Sequence, residues 1–120
     1  MKIELKSLRS LEIEDDLINY WPNDPLNFGS WIRAIIGPAD QEGAEFFDIL
    51  ICTPLWLQKE LLTNKVISGK GTFILSEFDY DEIVNYLNRQ ITACQSNNWS
   101  DASIRLSRIG FWEFEDYQPM

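Results

Sequence analysis

Apolar and polar residues alternate from the start of the chain: Ile3, Leu5 and Ser7 on one side, Lys2, Glu4 and Lys6 on the other, the period of two of a half-exposed strand. From Glu12 to Phe28 no period is sustained. Acidic residues mix there with Tyr20-Trp21-Pro22 and Asp24-Pro25, which predicts a connecting segment pinned by aromatics. Phe28 to Ile36 and Ala44 to Thr53 are the strongest strand candidates, and Gly37-Pro38-Ala39-Asp40-Gln41-Glu42-Gly43 between them has the composition of a hairpin turn. A turn closing near Gly37 and Ala44 sets Arg33 opposite Asp48, Ile35 opposite Phe46 and Trp31 opposite Leu50. Ile32, Ala34, Phe47, Ile49 and Ile51 then form a wholly apolar second face.

Thr53-Pro54 supplies an N-cap hydroxyl followed by proline at the first helical position, so a helix is expected from Pro54 to about Asn64, with Leu57 and Leu61 one turn apart on its inner side. After Gly69-Lys70-Gly71, Thr72 to Glu77 reads as another strand. Asp79-Tyr80-Asp81-Glu82 matches a capping box, and Ile83, Val84, Leu87, Ile91 and Cys94 give the helix it starts an apolar stripe to about Gln95. Trp99 to Arg108 is a shorter helix carrying Ile104 and Leu106, stopped by Gly110. In the tail, Phe111, Glu113 and Glu115 alternate with Trp112, Phe114 and Asp116; neither face is apolar, which suits an edge strand or an ordered surface tail. The fold class is therefore α+β: one domain over residues 1–120, an antiparallel sheet of about four strands with two to three helices packed mainly on one face. The two longer helices are expected on the apolar face of the hairpin.

Composition narrows the function. The 120 residues are 45% hydrophobic and 24% charged, which suits one globular core. Ten Lys and Arg against nineteen Asp and Glu give a formal charge of −9, and there is no His. Imidazole chemistry is excluded. Direct nucleic-acid binding and docking on an anionic membrane are both disfavoured, whereas a basic protein surface would be attracted. Cys52 and Cys94 form no metal-binding or redox spacing and sit among apolar residues, as buried small side chains do. Neither a signal-peptide core nor an apolar run approaching the ~18 residues of a membrane span is present, so a cytoplasmic location is expected.

An enzyme would have to work with carboxylates, because no phosphate loop, nucleophile elbow or metal-ligand spacing exists and Ser76 and Ser107 have no neighbouring base. No catalytic, cofactor-binding or metal-binding residue is assigned. Three acidic groups stand out: Glu12/Glu14/Asp15/Asp16, Asp79/Asp81/Glu82 and Glu113/Glu115/Asp116. A helix cap accounts for Asp79 and Glu82. Trp31, Trp56 and Trp99 lie in periodic segments where packing explains them, but Trp112 belongs to a strip in which aromatics alternate with acids, suited to a basic partner or to covering the core.

Several segments together resemble a known family. They are Asn27-Phe28-Gly29, Ile36-Gly37-Pro38, Phe47-Asp48 running into Ile51-Cys52-Thr53-Pro54-Leu55-Trp56-Leu57, and Leu106-Ser107-Arg108-Ile109-Gly110 leading to Trp112-Glu113-Phe114-Glu115-Asp116-Tyr117. In this order they look like the immunity protein 8 family of bacterial polymorphic toxin systems. The resemblance implies a small, cytoplasmic, non-enzymatic antitoxin that binds a cognate secreted toxin domain. Charge adds that the toxin should be basic, as nucleases are at their active-site clefts. On charge, the toxin-binding residues are expected to be Asp79, Asp81, Glu82, Trp112, Glu113, Glu115, Asp116 and Tyr117, with Glu14, Asp15 and Asp16 a second candidate. The alternatives are a small-molecule-binding or housekeeping α+β module with a carboxylate-lined pocket and, more remotely, a carboxylate hydrolase.

Overall fold

Residues 1–14 and 16–114 are described by the computed structural model. The central hairpin forms in the expected register. β2 (Gly29–Pro38) and β3 (Glu45–Cys52) pair antiparallel with Trp31 opposite Leu50, Arg33 opposite Asp48 and Ile35 opposite Phe46. Ile32, Ala34, Ile36, Phe47, Ile49 and Ile51 are buried on one face, and at the end of β3 Leu50 and Cys52 are buried on the other as well.

β1 (Ile3–Ser10) pairs antiparallel with β2 along its outer edge. Its alternation changes phase. A bulge between Leu5 and Ser7 sets Leu8 and Ser10 inward after Ile3 and Leu5, and Ser7, expected on the inner side, is exposed. The following segment holds a 3-10 turn at Leu17–Asn19 that buries Leu17. Tyr20, Phe28 and Phe78 cluster behind it, with ring centroids 4.7 to 6.1 Å apart, which bears out the aromatic pinning.

α1 (Pro54–Asn64) starts at Thr53 as read from the sequence, with Pro54 in the first turn. The expectation that its Leu57/Leu61 side lies on the apolar face of the sheet is wrong. No residue of α1 is buried, Leu57 is half-buried and Leu61 is exposed. Leu55, Trp56, Leu57, Leu61 and Leu62 are spread around the helix instead of forming one stripe, so no face dominates. The Trp56 ring lies against Gly29, where an added Cβ would come within 2.0 to 2.6 Å of it. Gly29 shares its side of β2 with Trp31 and Arg33, so α1 covers a corner of the opposite face.

α1 is the crossover to β4 (Thr72–Ile74), which pairs parallel with β3 and stops short of the predicted Glu77. The expected all-antiparallel sheet is thus closed on this side by one parallel strand. β5 (Phe111–Trp112) pairs antiparallel with β3 at Phe47 and Asp48, so β4 and β5 share one edge of β3 end to end. Glycine makes the joint: Gly71, at φ +64°, would bring a Cβ within 2.8 Å of the Phe111 ring.

The core is closed by α2 (Tyr80–Ala93), which buries Ile83, Leu87 and Ile91, and by α3 (Trp99–Leu106), which buries Ala102, Ser103 and Leu106. Of the two apolar residues read on this helix, Leu106 is buried and Ile104 is exposed, because Ile104 lies half a turn from the Ala102/Leu106 line. The architecture is α+β, and no helix among the described residues is long and apolar enough to cross a membrane.

Candidate protein-binding surface

The acids expected to meet a partner fall into separate places. Asp79 caps α2: its Oδ1 accepts from the Glu82 N–H at 3.2 Å, and its carbonyl accepts from the Ile83 N–H. Asp81 and Glu82 occupy the first turn, where the helix dipole favours them, and all three are exposed. The residue just before the cap, Phe78, is buried and donates its N–H to the Pro25 carbonyl at 2.7 Å. This ties the start of α2 to the connecting segment.

Trp21, in that segment, packs edge-on against Phe78 at 5.7 Å yet is 65% exposed. The sequence reading used Trp21 as a pin and missed its exposure. The available signal was its place in a stretch, residues 10–32, that contains no Lys or Arg.

Trp112 and Glu113 lie at the other end of the sheet. Gly29 and Ile36 mark the two ends of the β2–β3 ladder, and the seven steps along the strand from one to the other span about 23 Å. Trp112 is half-buried, stacks on Phe47 with rings 9° from parallel, and donates Nε1–H to Glu45 Oε2 at 2.7 Å. The other oxygen of Glu45 accepts Nε1–H of Trp99 at 3.0 Å. One carboxylate therefore joins α3 to β5, a role that nothing in the sequence reading gave to Glu45. Glu113 extends the ladder: its N–H donates to the Phe46 carbonyl and its Oε1 accepts the Phe46 N–H. Trp112 thus serves the scaffold with both its ring and its N–H. Glu115, Asp116 and Tyr117 lie outside the described residues.

The second candidate lies beside two arginines. Glu14 and Asp16 line a shallow pocket of about 320 Å³ together with Arg9 and Arg33, and Asp15 lies outside the described residues. Arg33 is itself held by Asp48 through Nε at 2.8 Å and Nη2 at 3.0 Å, the pair foreseen from the register. The hydrogen bond to Asp48 moves the guanidinium still further toward its charged form, and the group lies 4.2 Å over the Phe46 ring.

A groove of about 340 Å³ runs between β4 and α2 and is bordered by Phe73, Tyr86, Glu82 and Arg89. Glu82 is its single carboxylate among the described residues, so it does not bring together the acid pair that hydrolysis of glycosides requires. Among the described residues no group of three His, Cys, Asp or Glu side chains is placed to hold a metal ion. Burial pushes the thiols of Cys52 and Cys94 up, and Arg105 and Arg108 partly oppose this at Cys94. Both are inert small side chains, as their apolar neighbours suggested.

The segments that carry the resemblance meet one another. Thr53 Oγ1 accepts the Phe28 N–H at 3.0 Å and donates to the Leu26 carbonyl at 2.7 Å, the Thr53 N–H donates to the Phe28 carbonyl, and Trp56 fills the space above Gly29. A family model described as immunity protein 8 matches residues 3–117. The chain belongs to the immunity protein 8 family. No curated protein and no solved structure matches the chain at a significant level. In this immunity protein 8 family member the Asn27-Phe28-Gly29 and Thr53-Pro54-Leu55-Trp56 segments build the corner where α1 leaves the sheet, so these two are scaffold. The exposed acids at the start of α2 stand outside them.

Proposed function

We propose that the chain is a cytoplasmic immunity protein that neutralises a cognate secreted toxin domain by stoichiometric binding through its acidic surface. The match of the immunity protein 8 model over residues 3–117 carries this reading. The formal charge of −9 supports it on the chemistry of the partner, because an acidic inhibitor is drawn to a basic surface such as the active-site cleft of a nuclease. Asp79, Asp81 and Glu82 belong to the proposed interface, since they are exposed and the one hydrogen bond that caps α2 leaves most of their oxygens open to a partner. The strip Trp112, Glu113, Glu115, Asp116 and Tyr117 is the other part of the proposal, with Glu113 presenting the charge and Trp112 supporting it from below.

No catalytic step is assigned to the chain; inhibition follows from occupying the surface of the toxin. The test is co-expression with the toxin domain encoded directly beside this chain, followed by mixing of the purified proteins. Growth protected by this chain, and a complex of fixed stoichiometry whose association slows as salt is raised, are the expected results. A toxin that kills equally well in its presence overturns the reading.

A further inference from the structure

Resting on that reading, we infer that the toxin docks on an apolar patch formed by Trp21, Ile18 and Leu26 beside the start of α2, and that the surface it presents there is basic. These side chains are 65%, 64% and 54% exposed, although they come from one short segment between β1 and β2. Scattered exposed leucines are ordinary, but a tryptophan displayed in the same nine-residue stretch, 18–26, as two exposed aliphatic side chains is the composition of an interface anchor. The patch is held rigidly. Trp21 leans edge-on against buried Phe78 at 5.7 Å, Phe78 is bonded through its backbone to Pro25, and Asp24 fixes the turn by accepting the Leu26 N–H at 3.0 Å. A side chain already ordered before binding loses little entropy on docking.

The electrostatics select the occupant. Residues 10–32 contain Glu12, Glu14, Asp15, Asp16 and Asp24 and no Lys or Arg. Residues 71–88 contain Glu77, Asp79, Asp81 and Glu82 and again no Lys or Arg. The two stretches meet at the Phe78–Pro25 hydrogen bond, so Asp24, Glu77 and Asp79 flank the aromatic patch with no cation from either stretch among them. A second acidic protein or a second copy of this chain would be repelled, whereas a basic domain gains both apolar burial and charge complementarity. Trp112, by contrast, is half-buried and its indole N–H is already bound to Glu45.

The experiment uses the full chain and the toxin domain encoded beside it, with affinity and association rate measured for three variants whose urea midpoints are recorded in parallel. Trp21→Ala should weaken binding at least about 10-fold. The pair Glu77→Lys/Asp81→Lys should slow association about 10-fold at low salt. The pair Asp40→Lys/Glu42→Lys changes the net charge equally in the exposed hairpin turn at the far end, and should slow it far less. Wild-type binding by both Trp21→Ala and the Glu77/Asp81 pair, or an equal loss in the Asp40/Glu42 control, overturns this placement and leaves the antitoxin function standing. Failure of the unaltered chain to bind the toxin at all removes the function itself, and the docking surface with it.

Discussion

Glu45 offers the sharpest test of how the scaffold holds together. Its two oxygens accept the indole N–H groups of Trp99 and Trp112, at 3.0 and 2.7 Å, and so join α3 to β5. Glu45→Gln keeps the shape but leaves one accepting oxygen, and turns an N–H₂ donor toward one indole N–H. A hydrogen bond to a charged group contributes about 1.5–3 kcal/mol net. Because both contacts are only partly buried, the loss should be nearer about 1–2 kcal/mol. That corresponds to a fall of about 4–8 °C in Tm for a chain of this size. Urea unfolding with an unchanged m-value gives the free energy directly. The two-indole geometry makes a second, stricter demand. In a Trp112→Phe background only Trp99 needs an acceptor, the remaining Gln oxygen serves it, and Glu45→Gln should cost well under half as much. Equal cost in both backgrounds, or a Glu45→Gln chain with the wild-type midpoint, refutes the shared-acceptor reasoning.

Three further outcomes follow from contacts already described. Gly29→Ala drives a methyl into the Trp56 ring and should destabilise by about 1–3 kcal/mol in urea, with Gly29→Ala/Trp56→Leu recovering part of it; a fully stable single variant contradicts the packing of α1. Thr53→Val removes the cap of α1 and both side-chain bonds to the Leu26–Phe28 strand entry, so a loss of about 2 kcal/mol is expected, against little for Thr53→Ser. Cys52 and Cys94 should resist a thiol reagent until the protein unfolds. Their folded pKa values are raised by burial, so below the ordinary thiol pKa both states are protonated and stability is complete. It is lost as pH rises past that value, where the unfolded thiols ionise first, and a Cys52→Ala/Cys94→Ala chain should show a smaller fall above about pH 8.5.

The hairpin was legible down to its register because a single slip would have turned Ile32, Ala34 and Phe47 outward, and the turn composition left one closure that avoided this. Helix starts were legible too, since Thr53-Pro54 and Asp79 each satisfy free N–H groups locally. What depended on distant partners was not. The bulge after Leu5 answers to β2, the parallel sense of β4 to the path of α1, and the position of α1 to space left by Gly29. The candidate surface divided along the same line. Charge alone singles out Asp79, Asp81 and Glu82 as candidates, but whether an aromatic is displayed or packed is decided across the fold: Trp21 is 65% exposed, while Trp112 is half-buried, stacked and hydrogen-bonded.

The shared edge of β3 also sets a schedule. β3, β2 and β1 are complete once residue 52 has been made, and β4 follows within about twenty residues, but the Phe46–Phe47 stretch keeps unpaired backbone groups until Phe111 to Glu113 arrive. The contact between Glu45 and Trp112 spans 67 positions, the kind of non-local closure that comes late and slowly. Until then one edge of the sheet lacks its partner over Phe46–Phe47, and β5 is what fills it. The described sheet is complete only once that strand has paired, which makes the arrival of Trp112 the step that times the appearance of a finished fold.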